Sequence, residues 1–261
     1  MAKYSITSLY SGSKGNSVLI ETNEATILID AGKSARALCL ALNGIGKSID
    51  DVDAIFITHE HTDHISALEV LLKKHPIPVH IVEASAEKLT CRCALINESL
   101  VRKHSPIFST QVGNMLVNSF PTPHDSIFSV GYRIEICDDE GKVCIGYATD
   151  IGYVTEEIRA GLLGCESVVL ESNHDEEMLM RGPYPYDLKL RIRSNRGHLS
   201  NLACAEFAAE LTQNGTENIL LAHLSEENND PALAFDEVWS AVGNDKINLK
   251  VASQYECVTL V

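Results

Sequence analysis

The residues best suited to chemistry lie in the segment IFITHEHTDHI (residues 55–65), where an apolar run ends in four potential metal ligands. At the end of an extended strand, His59 and His61 project to the same side, so their two imidazoles can bind one ion. Asp63 and His64 follow on the next turn and can reach a second ion. Packing alone does not explain three histidines and an aspartate within six residues, and the segment therefore predicts a metal site.

The spacing His-x-His-x-Asp-His after an apolar strand resembles the signature of the metallo-β-lactamase superfamily. In that family a third histidine completes the first metal site, an aspartate bridges both metals and a last histidine completes the second site. The resemblance assigns these roles to His124 in PTPHDS, Asp150 in GYATDIG and His223 in LLAHLS. It also assigns Asp30, in ILIDAG, to the aspartate that orients the metal-binding loop from behind the ligands.

The resemblance therefore implies two divalent cations and a set of seven ligands, namely His59, His61, Asp63, His64, His124, Asp150 and His223. Two cations about 3.5 to 4 Å apart can activate a shared water and clamp a phosphoryl or carbonyl oxygen. Nitrogen and oxygen ligands without thiolate favour zinc and also admit manganese or iron. We expect hydrolysis by a hydroxide that bridges the metals, with no organic cofactor, and we count Asp63 among the catalytic residues as well.

Three further segments resemble the bacterial YycJ-like (WalJ-like) branch, which is related to tRNase Z and other nucleic-acid phosphodiesterases. They are SLYSGSKGNSVLIE near the start, ESNHD at 171–175 and RGHLSN at 196–201, and the resemblance covers nearly the whole chain. It implies that Glu171 and His198 lie near the scissile phosphate. Glu171 would orient His198 and stabilise its protonated form, and His198 would bind a phosphate oxygen or protonate the leaving alkoxide. His174 is expected to line the cleft, with a purely structural role as the alternative.

The overall charge restricts how the protein could bind nucleic acid. A formal net charge of −15 argues against a globally basic binder, because neutralised phosphates normally supply most of that affinity. Any contact must be local, and the candidate patch is KLRIRSNRGH, with a merely solvated surface as the alternative. Its four basic residues are the candidate substrate-binding residues Lys189, Arg191, Arg193 and Arg196.

The elements that must position these residues alternate between strands and helices. YSITSLYSG, SVLIETN and ATILIDAG predict a β-meander, and SARALCLALNGIG and HISALEVLLKKHP predict helices around the strand DVDAIFIT. The second half repeats the layout with strands SVGYRIEI, KVCIGYAT, SVVLES and NILLAH, and with helices that begin after Thr155, Ser200 and Asp230. Residues 86 to about 120 give no clear pattern. We expect an α/β fold, the four-layer αββα sandwich of the metallo-β-lactamase fold, in one domain over residues 1–261.

The preferred function is that of a two-metal phosphodiesterase or nuclease acting on DNA, with exonuclease activity. Asp150 stands where many true β-lactamases have cysteine or histidine, and there is no room for the inserted clamp of RNA-processing relatives. A glyoxalase II-like thioesterase or lactonase is the enzyme alternative, because it would use the same metals without Glu171 and His198. A metal-binding regulatory module is the non-enzymatic alternative. No membrane span or signal sequence is indicated, so we expect a cytoplasmic protein, and the oligomeric state is left open.

Overall fold

Two seven-stranded sheets form the centre of the protein in a computed structural model that describes residues 4–92, 97–138, 141–243 and 245–261. The strands of the first sheet are β1 (Ser5–Tyr10), β2 (Ser17–Glu21), β3 (Thr26–Ile29), β4 (Ala54–Phe56), β5 (Val79–Val82), β6 (Val101–His104) and β14 (Val258–Thr259), the last strand of the chain. Their order is β14-β1-β2-β3-β4-β5-β6. The pairs from β14 to β3 are antiparallel, as the predicted meander requires, and those from β3 to β6 are parallel.

The second sheet has the same plan. Its strands are β7 (Ser109–Val112), β8 (Met115–Thr122), β9 (Ser129–Asp138), β10 (Gly141–Ala148), β11 (Ser167–Glu171), β12 (Asn218–Ala222) and β13 (Asn248–Val251). The order is β13-β12-β11-β10-β9-β8-β7, with parallel pairs from β10 to β13 and antiparallel pairs from β7 to β10. Each sheet therefore joins a meander to a set of parallel strands.

Helices cover the outer faces of both sheets. In the described residues they are α1 (Ala35–Gly44), α2 (Thr62–Ile65), α3 (Leu68–Leu71), α4 (Glu83–Arg92), α5 (Glu156–Leu162), α6 (Glu176–Arg181), α7 (Tyr186–Ile192), α8 (Asn201–Gln213) and α9 (Pro231–Val242). The predicted N-caps Thr155, Ser200 and Asp230 each accept a hydrogen bond from a backbone N–H in the first turn of α5, α8 and α9. Of the described helices, none combines the length and apolar character needed to cross a bilayer.

Alternation along single strands shows how the layers are built. In β3, Ile27 and Ile29 pack into the core between the sheets, whereas Leu28 packs outward among residues of α1 and α3. In β12, Leu220 faces the central core and Leu221 packs outward with residues of α5, α8 and α9. Three apolar cores therefore separate four layers, and the predicted αββα sandwich is confirmed.

One predicted helix is divided in two. We expected a continuous helix in HISALEVLLKKHP, but the structure has the short helices α2 and α3. The backbone N–H of Ala67 donates to the carbonyl of Ala31 rather than to that of Asp63, and the Asp63 carbonyl accepts from the N–H of Asn16. These bonds to the preceding loops interrupt the helical pattern and fix the turn that carries Asp63 and His64.

Candidate metal centre and active site

Three of the predicted site residues follow strand ends in an unusual backbone conformation. Asp30 comes directly after β3, Asp150 shortly after β10 and His223 directly after β12, and their φ angles are 62°, 57° and 57°. Side chains other than glycine rarely adopt this left-handed region, and such strain is found where the surrounding structure fixes a functional group. The strained turns bring these residues to one edge of the two sheets.

The first ligand cluster consists of His59, His61 and His124. One ring nitrogen of each lies within 4.8 Å of the others, and the gap between His124 Nε2 and His61 Nδ1 is 3.4 Å. His124 Nδ1 lies 3.1 Å from the carbonyl oxygen of Gly197. Since a carbonyl only accepts, Nδ1 of His124 carries the proton and its Nε2 is left as a lone-pair donor. This is the tautomer that a metal ligand needs.

The second cluster contains Asp63, His64 and His223, and Asp150 lies between the two clusters. His64 Nε2 is 3.3 Å from both Asp63 Oδ2 and Asp150 Oδ2, and His223 Nε2 is 3.5 Å from Asp63 Oδ2 and from Asp150 Oδ1. Asp150 Oδ1 is also 3.7 Å from His124 Nε2 in the first cluster. The Asp150 carboxylate thus reaches ligands of both clusters, as a bridging residue must.

Asp30 supports the clusters from behind. Its buried carboxylate accepts the backbone N–H of Thr58 at 2.8 Å, and its Oδ2 lies 2.7 Å from Nδ1 of His64. This contact orients the His64 ring and directs Nε2 toward the second cluster. Asp30 thus contacts a predicted ligand from behind, and its role in orienting that ligand stays a prediction.

Buried polar atoms test whether the residues present fit divalent cations. Within the described ranges of the chain, His59 Nε2, Asp150 Oδ2 and His223 Nε2 are inaccessible to solvent and make no hydrogen bond. Such atoms are rare in native proteins because an unsatisfied buried polar group is costly. All three belong to the ligand clusters, where bound cations would satisfy them. The residues therefore fit the divalent metal binding that the fold implies.

Charge within the clusters supports the same assignment. Burial raises the pKa of Asp150, but His223, His64 and His124 more than offset it, so this pKa lies below its ordinary value. Burial lowers the pKa of His59, and three neighbouring histidines lower it further. Asp150 and His59 therefore offer an ionised carboxylate and a neutral imidazole, whereas the neighbouring carboxylates raise the pKa of His64 and of His223, whose protons a bound cation would displace.

Glu171 and His198 lie directly beside this centre. The fully buried Glu171 directs Oε1 at His198 Nδ1 (2.8 Å) and at His223 Nδ1 (3.0 Å). Its Oε2 accepts the backbone N–H groups of Ile151 and Leu199 at 2.8 and 3.0 Å. Burial raises the pKa of Glu171, but His198 and His223 lower it well below its ordinary value. The contact with His223 was not foreseen, and it makes Glu171 a link between a predicted ligand and His198.

Asn16 is a site residue that the sequence analysis missed. Its buried side-chain amide nitrogen lies 3.3 Å from Asp63 Oδ2 and 3.3 Å from His64 Nε2, and its oxygen accepts the N–H of Gly12 at 2.9 Å. The segment that contains Asn16 is the turn SGSKGNS, and in the sequence this turn is indistinguishable from an ordinary connection between two strands. Asn173 was also missed; it donates to the carbonyl of His223 at 2.8 Å.

The four basic residues of KLRIRSNRGH have separate surroundings. Lys189 is buried, and its ammonium group donates to the carbonyls of Met180 and Gly182 at 2.8 and 2.7 Å. Arg196 donates to the carbonyl of His124 from Nε at 3.1 Å and from Nη2 at 3.0 Å. These two side chains therefore support the local backbone, including the loop of a predicted ligand.

Arg191 and Arg193 are exposed on or next to α7 and face different cavities. Arg191 pairs with Asp125. It also lines a cavity of about 210 Å³ between Tyr184, Leu188, Ile192 and Asn173, which we call the Tyr184 cavity. Arg193 lines a cavity of about 370 Å³, which we call the Glu206 cavity, together with His174. His174 is almost fully buried, as expected for either of its two predicted roles. His198 lines both cavities.

Comparison with known proteins identifies the class to which this fold and site belong. The Beta-lactamase superfamily domain family matches residues 25–224. The chain therefore belongs to the metallo-β-lactamase superfamily and is a metal-dependent hydrolase.

The most informative relatives lie within one branch of that superfamily. The chain is 37% identical to exodeoxyribonuclease WalJ of Streptococcus pneumoniae over 236 residues, covering 89% of this chain and 85% of the relative. It is 36% identical to exodeoxyribonuclease YycJ of Bacillus anthracis over 230 residues, covering 87% and 84%. The Zn²⁺-bound PqqB of Methylobacterium extorquens has the same fold, with a TM-score of 0.72, 15% identity and coverage of 98% and 99%. The predicted resemblance to the YycJ-like branch is confirmed.

Proposed function

We propose that this protein is a two-metal phosphodiesterase that removes nucleotides from the ends of DNA. The observation that carries the proposal is the Glu171–His198 pair, which lies beside the ligand clusters with 2.8 Å between Glu171 Oε1 and His198 Nδ1. The names of the WalJ and YycJ relatives, both exodeoxyribonucleases, support DNA as the substrate. The proposal keeps a single domain and the cytoplasmic location expected from the sequence.

The seven predicted ligands would hold two divalent ions, with zinc favoured by the donor set and manganese or iron as alternatives. When bound, such a pair activates water for attack and neutralises charge that develops on phosphoryl oxygens. These seven ligands are His59, His61, Asp63, His64, His124, Asp150 and His223.

The protein's own contribution to leaving-group departure would come from His198. Because Glu171 occupies Nδ1 of His198, Nε2 is the nitrogen left to donate a proton to the leaving alkoxide or to bind a phosphate oxygen. The His198 side chain is 22% exposed, which leaves it accessible from the cleft, whereas Glu171 is inaccessible. Glu171 therefore acts by orientation and charge rather than by touching the substrate.

A thioesterase of the glyoxalase II type is the weaker assignment. A thiolate leaves without protonation far more readily than an alkoxide, so a thioesterase has no need of a buried carboxylate that orients a proton donor. The exposed Arg193, in the same cavity wall as His198, supports binding of a phosphate backbone. Arg191 would contribute in the same way from the neighbouring cavity, while Lys189 and Arg196 would act only by supporting the loops.

A substrate panel on metal-reconstituted protein tests the proposal. The panel comprises bis-p-nitrophenyl phosphate, single- and double-stranded DNA, RNA and an acyl-glutathione thioester. We expect phosphodiesters to be cleaved much faster than the thioester, with DNA preferred to RNA. Thioester turnover without cleavage of any phosphodiester, under zinc, manganese or iron, would overturn the assignment.

A further inference from the structure

The Tyr184 cavity adjoins the proposed active site and has no role in the chemistry described above. Tyr184, Leu188 and Ile192 form an aromatic and aliphatic wall contributed by α7 and the turn before it. Ser13, Asn173 and Ser225 provide uncharged hydrogen-bonding groups in the same cavity. His198 lines the cavity as well. An apolar wall with a few uncharged polar groups is typical of a site for a flat heterocycle.

Size and charge restrict what could bind there. A volume of about 210 Å³ is below the roughly 300 to 1,000 Å³ of sites for drug-sized ligands, so the cavity suits one nucleobase rather than a base pair. Its single carboxylate, Asp125, is paired with Arg191. The Glu206 cavity, which His198 also lines, is charged instead: its lining holds Arg159, which pairs with Glu210, and Arg193 together with Glu176 and Glu206. A charged lining does not suit a flat uncharged base, whereas Arg193 there can meet the phosphate backbone.

We propose that the Tyr184 cavity binds the base of the terminal nucleotide, with Tyr184 stacking on it while the scissile phosphate lies by His198. This inference rests on the proposed function and specifies its substrate. Because a paired base would bring its partner into the cavity wall, the end of the strand must be unpaired. The enzyme therefore acts on single-stranded or frayed DNA ends, and Tyr184 is the residue that recognises the base.

The test compares two oligonucleotides that are identical except that the terminal nucleotide at the cleaved end is either normal or abasic. Stacking of a base on an aromatic side chain is worth about 5- to 150-fold in binding. We expect the wild-type protein to prefer the normal end by a factor in that range, measured as kcat/KM for release of the terminal residue. Tyr184→Ala should lose this preference, and Tyr184→Phe should retain it.

Tyr186→Ala is the matched control, because Tyr186 is an exposed tyrosine two residues away that does not line the cavity. It should keep the wild-type preference. The preference is a ratio measured on one protein sample, so partial unfolding of a variant cannot mimic its loss. A wild-type protein that cleaves both ends equally, or a Tyr184→Ala variant with an unchanged ratio, would overturn the inference alone. Failure to cleave either oligonucleotide would instead contradict the proposed function.

Discussion

At the scale of single residues, the Glu171 carboxylate contacts both His223, a predicted metal ligand, and His198, the proposed proton donor. Nothing in the sequence indicates that one carboxylate serves both residues. One of its oxygens faces both His198 Nδ1 and His223 Nδ1, at 2.8 and 3.0 Å. Burial lowers the pKa of His223, but Asp150, Asp63 and Glu171 raise it to about 10. A bound cation would replace that proton on Nε2 and leave Glu171 to hold the ring through Nδ1. In the proposed function, metal retention and proton donation would therefore depend on the same carboxylate.

His198→Ala should separate catalysis from metal binding, because His198 is not in the set of seven ligands. We expect unchanged metal content and a loss of roughly 10² to 10⁴ in kcat on a substrate with a poor leaving group. The loss should be smaller on bis-p-nitrophenyl phosphate, whose leaving group needs little protonation. Equal losses on both substrates would exclude proton donation by His198, and an emptied metal site would require a new ligand assignment.

Glu171→Gln should have a broader effect than His198→Ala. The amide retains the size of the side chain but loses the charge that holds both imidazoles. We expect kcat to fall in the same direction, and affinity for the second metal ion to fall by roughly 10- to 100-fold, as is usual when a ligand loses its supporting partner. Isothermal calorimetry of metal binding to the metal-free protein measures this affinity. Full metal affinity in Glu171→Gln would show that the contact with His223 is unimportant.

At the scale of elements, the sequence predicts strands and capped helices better than it predicts what happens between them. The first residues of α5, α8 and α9 could be predicted, because Thr155, Ser200 and Asp230 cap the N-termini of these helices locally. The split between α2 and α3 could not be predicted, because it depends on hydrogen bonds from Ala67 and Asn16 to distant parts of the chain. The same reason explains why Asn16 was missed, since its contacts with Asp63 and His64 depend on the tertiary fold.

The edge of the first sheet contains a ring stack that should make stability depend on pH. The His80 ring on β5 stacks between Phe56 and His104, and its Nδ1 lies 2.9 Å from His104 Nε2. Burial, His104 and Arg102 lower the pKa of His80 to about 4. Because the unfolded chain takes up the proton near pH 6.5 and the folded chain does not, stability falls as the pH drops from about 6.5 to 4. Allowing for solvent screening, we expect His80 to account for a loss of about 2 kcal/mol.

His80→Phe is the matching variant, because it keeps a flat ring in the stack and removes the titrating group. Urea unfolding of both proteins between pH 7 and 4 measures the free energy of unfolding. The wild-type protein should lose more stability than His80→Phe over this range, and the metal ligands titrate equally in both. If the free energy of unfolding fell equally in both proteins over this pH range, His80 would not contribute to the pH dependence of stability.

At the scale of the whole molecule, both sheets contribute to one centre. Asp30 and His59 follow β3 and β4 of the first sheet, whereas Asp150 and His223 follow β10 and β12 of the second. The ligands therefore meet only when the two sheets pack against each other, and metal binding should be coupled to folding. Removing the metal with a chelator should lower the melting temperature, as followed by circular dichroism, and adding zinc back should restore it. A melting temperature that does not respond to the chelator would contradict this coupling.

The most direct test of the central claim is to measure mononucleotide release from end-labelled single-stranded DNA as the metal-free protein is titrated with zinc or manganese. If two ions act together, activity should remain low with one ion per chain and reach its maximum at two. Asp150→Ala should remain inactive across the whole titration, because Asp150 is the carboxylate that reaches both clusters. Full activity with one ion per chain, or undiminished cleavage by Asp150→Ala, would contradict the account.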